Sequence, residues 1–198
     1  MKFCTLLAIL SMLTYSLNAQ ELNEGLLNAP PTWGTEIIKM PIRFAPEIIY
    51  QGVEEIKFAP GWAKQDQIDF WSYVFVWHIT SEKDPSALDL AEDLEAYFTG
   101  LSDINDLREE IKTRFKPTVA SLAEKQSSNN TTTYTGTVRT FDRFTSNEMI
   151  TLLVTAEKTY CKNKKEMNIV FRFSPQKENS KIWEQLNTIT LSKNACNF

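Results

Sequence analysis

The segment 68–80, IDFWSYVFVWHIT, constrains the fold of this chain more than any other part of its sequence. Aromatic and β-branched side chains occupy both of its alternating faces, with Trp71 and Trp77 on one face and Val74 on the other. A strand with one face in water alternates apolar with polar residues, so apolar residues on both faces indicate burial on both sides. The sequence therefore predicts a central β-strand over Ile68–Thr80.

The spacing of apolar residues and the turn signals predict the other elements. A period of two residues predicts strands over Thr35–Ile42, Gly52–Phe58, Thr118–Glu124, Thr131–Phe144, Glu148–Cys161 and Met167–Phe173. Helical spacing predicts a helix that begins at Asp84-Pro85 and ends near Gly100, and a second helix over 104–115. Ser180 can cap a last helix near the C-terminus.

The order of these elements indicates the fold class. Strands come first, then helices, then a run of strands and a final helix. This segregation is typical of an α+β fold, in which helices pack on an antiparallel sheet. The sequence predicts one such domain over 35–198, with about five to seven strands and about two or three helices. An extended, turn-rich lead-in is predicted over 20–34.

Residues 1–19 have the layout of a secretory signal peptide. Lys2 supplies a positive start, an apolar stretch with Leu6 and Leu10 follows, and Ala19 stands at the expected cleavage position. The apolar stretch is too short to cross a bilayer, and no later stretch reaches the roughly 20 apolar residues that a spanning helix needs. We expect an exported bacterial protein, periplasmic or extracellular, without a membrane span.

The charge balance argues against one class of partner. The chain carries 21 basic and 25 acidic side chains, a formal net charge of −4. Nucleic-acid binding needs a basic face, because the phosphate backbone is polyanionic. The sequence therefore predicts no nucleic-acid partner. It leaves a small ligand or another envelope protein as candidate partners, and it leaves the oligomeric state open.

Cys161 and Cys196 remain as a pair once a signal peptide containing Cys4 is removed. An exported chain meets an oxidising compartment, where an even pair of cysteines favours a disulfide. Two buried free thiols are the alternative. A metal site is disfavoured because two cysteines and one histidine do not provide zinc-ligand spacing. No cofactor is predicted.

His78 is the single histidine, which limits the catalytic mechanisms open to the chain. It could act as a general base near the end of a strand, but we favour a hydrogen-bonded structural role. A Ser-His-Asp site would have to use it, and the sequence has no nucleophile-elbow motif. Carboxylates such as Asp89 and Asp93 fall on the polar side of a predicted helix and fit a solvated face. No catalytic residue is therefore assigned.

Aromatic residues, which make up 12% of the chain, are the compositional signal that points to binding. Rings stack on sugars and apolar ligands, but they also fill cores, and core packing is the alternative for those on strands. Trp33 and Trp62 differ because each stands beside a Pro/Gly turn, where functional side chains are common. The candidate ligand-binding residues are Trp33, Trp62, Trp71, Tyr73, Trp77 and His78.

Several short strings resemble an uncharacterised family of exported bacterial proteins. They are Trp33-Gly34-Thr35-Glu36, Ile42-Arg43-Phe44-Ala45-Pro46, Gly52-Val53-Glu54-Glu55, Pro60-Gly61-Trp62, Phe70-Trp71-Ser72-Tyr73 and Ser174-Pro175-Gln176, together with Trp183. The resemblance covers most of the chain from residue 30 onward. It implies a single exported domain with a closing cysteine at Cys196, and it implies no activity.

Together these features predict an exported, non-catalytic domain that binds a small ligand, a glycan or a protein partner in the bacterial envelope. An enzyme comes second because no recognisable catalytic set is present. That alternative is a small secreted hydrolase or isomerase that uses carboxylates with or without His78. A third hypothesis is an envelope-assembly component whose sheet edge or N-terminal arm engages another protein.

Overall fold

A computed structural model describes residues 25–105, 107–162 and 165–197 of the chain. The predicted signal peptide and the first part of the predicted lead-in lie outside the described residues. Within the described ranges the chain forms nine β-strands and three α-helices.

The elements have the following bounds in chain order. The strands are β1 (Leu27–Asn28), β2 (Gly34–Met40), β3 (Gln51–Phe58), β4 (Tyr73–Thr80), β5 (Val119–Ser127), β6 (Thr131–Asp142), β7 (Glu148–Tyr160), β8 (Glu166–Ser174) and β9 (Thr190–Leu191). The helices are α1 (Ala87–Leu101), α2 (Glu109–Lys112) and α3 (Lys181–Thr188).

Seven of the strands form one antiparallel sheet in the order β2-β3-β4-β8-β7-β6-β5. This confirms the predicted α+β class with helices packed on an antiparallel sheet. The two remaining strands, β1 and β9, pair with each other in a separate small sheet, so the strand total exceeds the predicted range. The short pair escaped prediction because two residues are too few to show a period of two.

Strand β4 lies inside the sheet between β3 and β8, with Tyr73 to Ile79 buried. It begins at Tyr73, not at Ile68 as predicted. Trp71 has a positive φ of 49°, and its backbone N–H donates to the carbonyl of Trp62 at 2.8 Å. A left-handed residue cannot continue a strand. The segment 68–72 therefore belongs to the loop that precedes β4.

Helix α1 begins after Ser86 and not at Asp84, as the sequence had indicated. The Ser86 hydroxyl accepts the N–H of Asp89 at 3.2 Å, and the Asp89 carboxylate accepts the Ser86 N–H at 2.9 Å. This reciprocal pair satisfies two backbone donors at the helix start. Asp84 instead forms an ion pair with Lys158, with 2.5 Å between carboxylate and ammonium.

The predicted helix over 104–115 is reduced to the single turn of α2. None of the residues in that turn is buried. Short helices depend on tertiary packing because nucleation is costly, and this turn lacks that support. Phe115, the last apolar residue of the pattern, packs edge-on against Phe141 with 5.8 Å between ring centroids.

The sheet has a core on each face, because alternate residues of β4 point to opposite sides. Tyr73, Phe75 and Trp77 join the larger core, which the loop 41–50 and α1 cover. Val74 and Val76 join the smaller core, together with residues of α3 and of the N-terminal arm, by which we mean residues 25–33.

The chain ends are tied to the sheet by covalent and polar contacts. Cys161 and Cys196 form a disulfide with 5.5 Å between their Cα atoms, which confirms the predicted pairing. At the other end, the backbone N–H of Leu26 donates to the buried Glu55 carboxylate, which also pairs with Lys57 at 2.7 Å. None of the helices in the described ranges has the length and apolar character needed to cross a membrane.

Candidate functional site

Three of the predicted ligand-binding residues lie together at one end of the large sheet. The rings of Trp62 and Trp71 have centroids 6.4 Å apart, and those of Trp71 and Tyr73 are 6.2 Å apart. A residue outside the prediction, Phe144, joins them at 6.2 Å from Trp62 and 6.0 Å from Trp71. Phe58 stacks obliquely on Trp62 at 4.9 Å. We call Phe58, Trp62, Trp71 and Phe144 the aromatic surface.

Phe144 is the most exposed ring of the aromatic surface. Phe144 is 48% exposed and Trp62 is partly exposed, whereas Trp71 is only 1% exposed. The Trp62 and Phe144 planes meet at 70° in an edge-to-face contact, and both rings also contact the buried Trp71 ring. A partly exposed cluster of aromatic rings is typical of binding sites.

The loop 59–72 that carries Trp62 is held rigidly by backbone hydrogen bonds. The Ala59 N–H donates to the carbonyl of Ser72 at 3.1 Å and closes the base of the loop. The Gly61 N–H donates to the Asp69 carboxylate at 2.8 Å. A Cβ added at Gly61 would come within 2.1 Å of the same carboxylate, so Asp69 would have to move away from any larger residue at this position.

The left-handed backbone of Trp71 is the strained feature of the surface. A positive φ in a residue as bulky as tryptophan costs free energy and is rare. It turns the Trp71 ring into the core, where its indole N–H has no hydrogen-bond partner among the described residues. Strain and an unpartnered buried donor of this kind concentrate at functional sites.

Asp142 organises the turn 143–147, which carries Phe144. Its buried carboxylate accepts the backbone N–H groups of Phe144, Thr145 and Ser146 at 2.9, 3.0 and 2.7 Å, and also the hydroxyls of Thr145 and Ser146. Burial alone would raise the pKa of Asp142, but these hydrogen bonds outweigh burial and hold the pKa below its ordinary value. The turn is therefore fixed around an ionised carboxylate.

Phe144 was not among the predicted binding residues, because the alternating pattern of Thr131–Phe144 placed it at the end of a predicted strand. The signal that could have identified it is the series of Asp142, Thr145 and Ser146, since aspartate favours turns in which its side chain binds following N–H groups. An aromatic residue inside such a turn points outward from the fold.

Trp33 lies on the other face of the sheet. It belongs to the smaller core and is 8% exposed. With Asp69, Glu184 and Gln185 it lines a cleft of about 520 Å³ between the N-terminal arm and α3. Trp33 and Trp62 therefore do not share one binding surface.

Trp77 and His78 lie toward the opposite end of β4 from the aromatic surface. Trp77 is fully buried and packs against Phe171 with 5.0 Å between centroids. His78 is 8% exposed, and its Nδ1 lies 3.0 Å from Oδ1 of Asn168, while its Nε2 lies 3.4 Å from the Glu166 carboxylate. The structure places Trp77 in the core and His78 in a hydrogen-bonded network on the opposite face.

Asn168 links His78 to the disulfide. Its side-chain amide lies 3.4 Å from both Cys161 Sγ and Cys196 Sγ. The imidazole, the amide and the disulfide thus form one polar group under the C-terminal segment, which fits a structural role for His78.

A carboxyl group is buried beside Trp77 in the larger core. The hydroxyl of Tyr97 donates to Glu54 Oε1 at 2.9 Å, and the Trp77 indole is the second side chain that interacts with this carboxyl. Burial raises the pKa of Glu54 to about 8, and the neighbouring charge of Glu36 adds to the increase. Burial therefore favours the protonated form of Glu54.

A cleft of about 600 Å³ opens between the start of α1, the end of β4 and the loop before β3. In it the Tyr50 hydroxyl donates to Asp93 at 2.6 Å. Burial, together with the charges of Asp89 and Glu92, raises the pKa of Asp93 to about 6 against the opposing Tyr50 hydrogen bond. This carboxyl, which the helical pattern had placed on a solvated face, is half-buried in a cleft.

Comparison of the chain with protein-family models, curated proteins and solved structures found no match. The functional argument therefore depends on the chemistry of the surfaces described above.

Proposed function

We propose that this protein is an exported, non-catalytic domain that binds a partner protein of the bacterial envelope through its aromatic surface. The observation that carries the proposal is the exposed Phe144 ring beside the partly exposed Trp62 ring, on two separately braced loops. Large aromatic side chains supply most of the binding energy in many protein interfaces. An apolar side chain of the partner would pack against the exposed parts of these two rings.

Rigid loops support binding because less conformational entropy is lost on association. Loop 59–72 is tied by Asp69, and turn 143–147 is tied by Asp142. Both loops project from one end of a seven-stranded sheet, a rigid scaffold that positions binding loops in many proteins.

The carboxylates near the aromatic surface favour binding over catalysis. A general acid at neutral pH needs a raised pKa, whereas the pKa of Asp142 is lowered and its oxygens are occupied by turn donors. The Asp69 carboxylate is likewise engaged by Gly61. These groups hold the loops and carry no proton-transfer role.

Export is the second part of the proposal. The Cys161–Cys196 disulfide supports it, because such bonds persist mainly in oxidising compartments. The signal-peptide pattern over 1–19 and the resemblance to exported bacterial proteins point the same way and stay predictions.

The binding proposal can be tested by photo-crosslinking in the native host. A photoreactive phenylalanine analogue in place of Phe144 should yield one discrete adduct, and Trp62→Ala in the same chain should strongly reduce it. The matched control is the analogue at Leu88, which is 68% exposed on α1. An identical adduct pattern at both positions, or no adduct at either, would contradict the proposal.

A secreted hydrolase or isomerase remains the second candidate, favoured by the Tyr50–Asp93 pair. A carboxyl with a pKa of about 6 in an open cleft can exchange protons near neutral pH. Hydrolysis of p-nitrophenyl esters or glycosides that is lost in Asp93→Asn and retained in Glu110→Gln, at a surface carboxylate of α2, would support this candidate. No turnover across such a panel would favour the binding domain.

A further inference from the structure

The two edges of the large sheet differ in how they are protected against pairing with another strand. β2 and β5 are the edge strands, and each carries a row of backbone N–H and C=O groups on its outer side. Natural sheets block such rows with bulges, prolines, lysines or a covering segment. These devices are present on β5 and nearly absent from β2.

β5 is a protected edge. Its pairing with β6 shifts register between Glu124 and Gln126, and the exposed Lys125 lies at this irregularity. A bulge disrupts the ladder and bends the strand, and a charged edge lysine opposes the close approach of a second chain. Pairing of another strand along β5 is therefore disfavoured.

β2 is an open edge. Its register with β3 is continuous from Gly34 to Met40, and this stretch contains no proline. Among the described residues, β3 alone pairs with β2, and no backbone hydrogen bond reaches β2 from a loop. Lys39 is the only lysine of the strand, and it lies near the strand end. Within the described part of the chain, the outer backbone groups of β2 therefore have no protein partner.

Ile37 marks this open edge as an interface. It is the middle residue of β2 and is 59% exposed. Its neighbour Ile38 packs against the larger core, so the two side chains lie on opposite faces of the sheet. An unprotected edge with an exposed β-branched residue at its centre promotes pairing between edges. The occupant that satisfies a row of alternating donors and acceptors is another extended strand.

We propose that two copies of this chain pair through β2 in an antiparallel, two-fold symmetric dimer. An axis through Ile37 places each of the seven residues of β2 opposite a residue of the second copy and joins the two seven-stranded sheets into one. The pairing forms roughly six to eight backbone hydrogen bonds. This interface is independent of the aromatic surface and of the partner protein proposed for it.

The side chains of β2 are self-complementary in this register. Ile37 faces Ile37 of the second copy, which makes a cross-strand pair of β-branched residues. Thr35 faces Lys39 and Glu36 faces Ile38, so no like charges stand directly opposite each other. An axis through Glu36 would instead oppose two carboxylates, and an axis through Ile38 would leave two residues of β2 unpaired. The charges and the strand length therefore favour the axis through Ile37.

The contrast between the two edges limits the assembly to a dimer. A two-fold axis brings both β2 edges together, and the protected β5 edges become the two outer edges of the joined sheet. A closed two-fold interface ends growth, whereas subunits that each had two open edges could extend into a fibre.

The test is sedimentation equilibrium of the full mature chain over concentrations from about 1 μM to about 500 μM. One strand from each copy buries less surface than the roughly 1,200 Å² of a stable complex. We therefore expect a reversible dimer with a dissociation constant on the order of 10 μM.

Variants locate the interface on β2. Ile37→Lys places two ammonium groups opposite each other at the axis and should raise the dissociation constant by at least about tenfold. Because Ile37 is exposed, this variant should still fold, which circular dichroism checks. Ile49→Lys, at a 79% exposed isoleucine outside β2, is the matched control and should leave the constant unchanged.

Glu36 provides a variant with the opposite effect. The two Glu36 residues of the dimer are diagonal neighbours roughly 7–8 Å apart, so their charges oppose association. Glu36→Gln should therefore lower the dissociation constant by about two- to threefold. A higher constant for Glu36→Gln would contradict this register.

Cysteine crosslinking tests the register directly. A short bismaleimide should join Thr35→Cys to Lys39→Cys in a mixture of the two variants, because these positions face each other. Each variant alone should give much less covalent dimer, since its own position in the second copy lies four residues along the strand, roughly 13 Å away. Equal crosslinking in the mixture and in the single variants would overturn the register.

Three further results would overturn the dimer itself. One is a monomer throughout the concentration range. Another is a dimer that a folded Ile37→Lys leaves intact, since this would place the interface elsewhere. The last is open-ended association in place of a dimer. None of these results bears on the adduct formed at Phe144, so the two proposals fail separately.

Discussion

The Asp142 carboxylate accepts the backbone N–H of Phe144 at 2.9 Å. One buried anion thus sets the direction of the most exposed ring of the aromatic surface. The same ring also contacts Trp62 and Trp71, so the turn and the ring contacts together preform this part of the surface.

Asp142→Asn should lower the free energy of unfolding by about 2 kcal/mol at pH 7, because the amide accepts fewer hydrogen bonds and carries no charge. The pKa of Asp142 is lower in the folded state than its ordinary value. The ionised carboxylate therefore contributes its full stabilisation when the pH is above that ordinary pKa. This stabilisation is lost as the pH falls through the folded-state pKa.

Urea unfolding of wild type and Asp142→Asn at pH 7 and pH 3 measures this contribution. The difference between the two proteins should shrink at pH 3. An equal difference at both pH values would show that the carboxylate charge is not responsible.

Gly61→Ala should disturb the loop of Trp62, because its Cβ would come within 2.1 Å of the Asp69 carboxylate. Loss of the Gly61–Asp69 hydrogen bond should cost about 1 kcal/mol and change the Trp62 environment. Gly34→Ala is the matched control, since a Cβ there meets its nearest atom at an ordinary 3.5 Å. Thermal unfolding and tryptophan fluorescence give the two readouts, and equal effects of both variants would refute the steric argument.

Replacing both Cys161 and Cys196 by serine should lower the stability of the folded state by about 2–4 kcal/mol, because the bond restricts the unfolded chain. Denaturant unfolding of the double variant and of the wild type, oxidised and reduced, measures the loss. Thiol labelling of the mature wild type under denaturing, non-reducing conditions should find no free Cys161 or Cys196. Two labelled thiols would contradict the disulfide.

Glu54→Gln should remove a pH dependence of stability that the wild type shows between about pH 4.5 and 8. The pKa of Glu54 is raised to about 8 in the folded state, against 4.5 for an ordinary glutamate. Unfolding therefore releases a proton in this range, and the wild type loses stability as the pH rises. Glutamine keeps the shape and stays neutral.

The Glu54 prediction is checked by the difference in unfolding free energy between the two proteins at pH 5 and pH 8.5. Glu36 and the phenols of Tyr73 and Tyr97 are the other titratable groups near Glu54, and both proteins share them. Raising the pH from 5 to 8.5 should lower the unfolding free energy of the wild type relative to that of Glu54→Gln. If it does not, the buried Glu54 carboxyl is not the cause of the pH dependence.

Local patterns predicted most of the framework. The strands over Gly52–Phe58 and Thr131–Phe144 correspond to β3 and β6, since a period of two residues records which side chains face a core. The failures lie where a distant contact overrides the local pattern. The carbonyl of Trp62 bends the chain at Trp71, so the central strand starts late. The 104–115 pattern finds little to pack against, so only one turn of helix forms.

The candidate site was predicted only in part, because a one-dimensional pattern does not show which elements become neighbours. Trp62, Trp71 and Tyr73 meet as a group, but Trp33 is on the other face. Phe144 reaches them through the sheet order, which places the β6–β7 turn beside the loop before β4.

The sequence by itself determined the α+β class and the buried central strand, because each follows from local periodicity, and it favoured the pairing of Cys161 with Cys196, which the structure then confirmed. Only the tertiary structure decided which aromatic side chains share a surface and that Lys158 is buried beside Asp84. These relationships join residues far apart in the chain. They arise from strand order and packing, which depend on the free energy of the whole fold and not on any one segment.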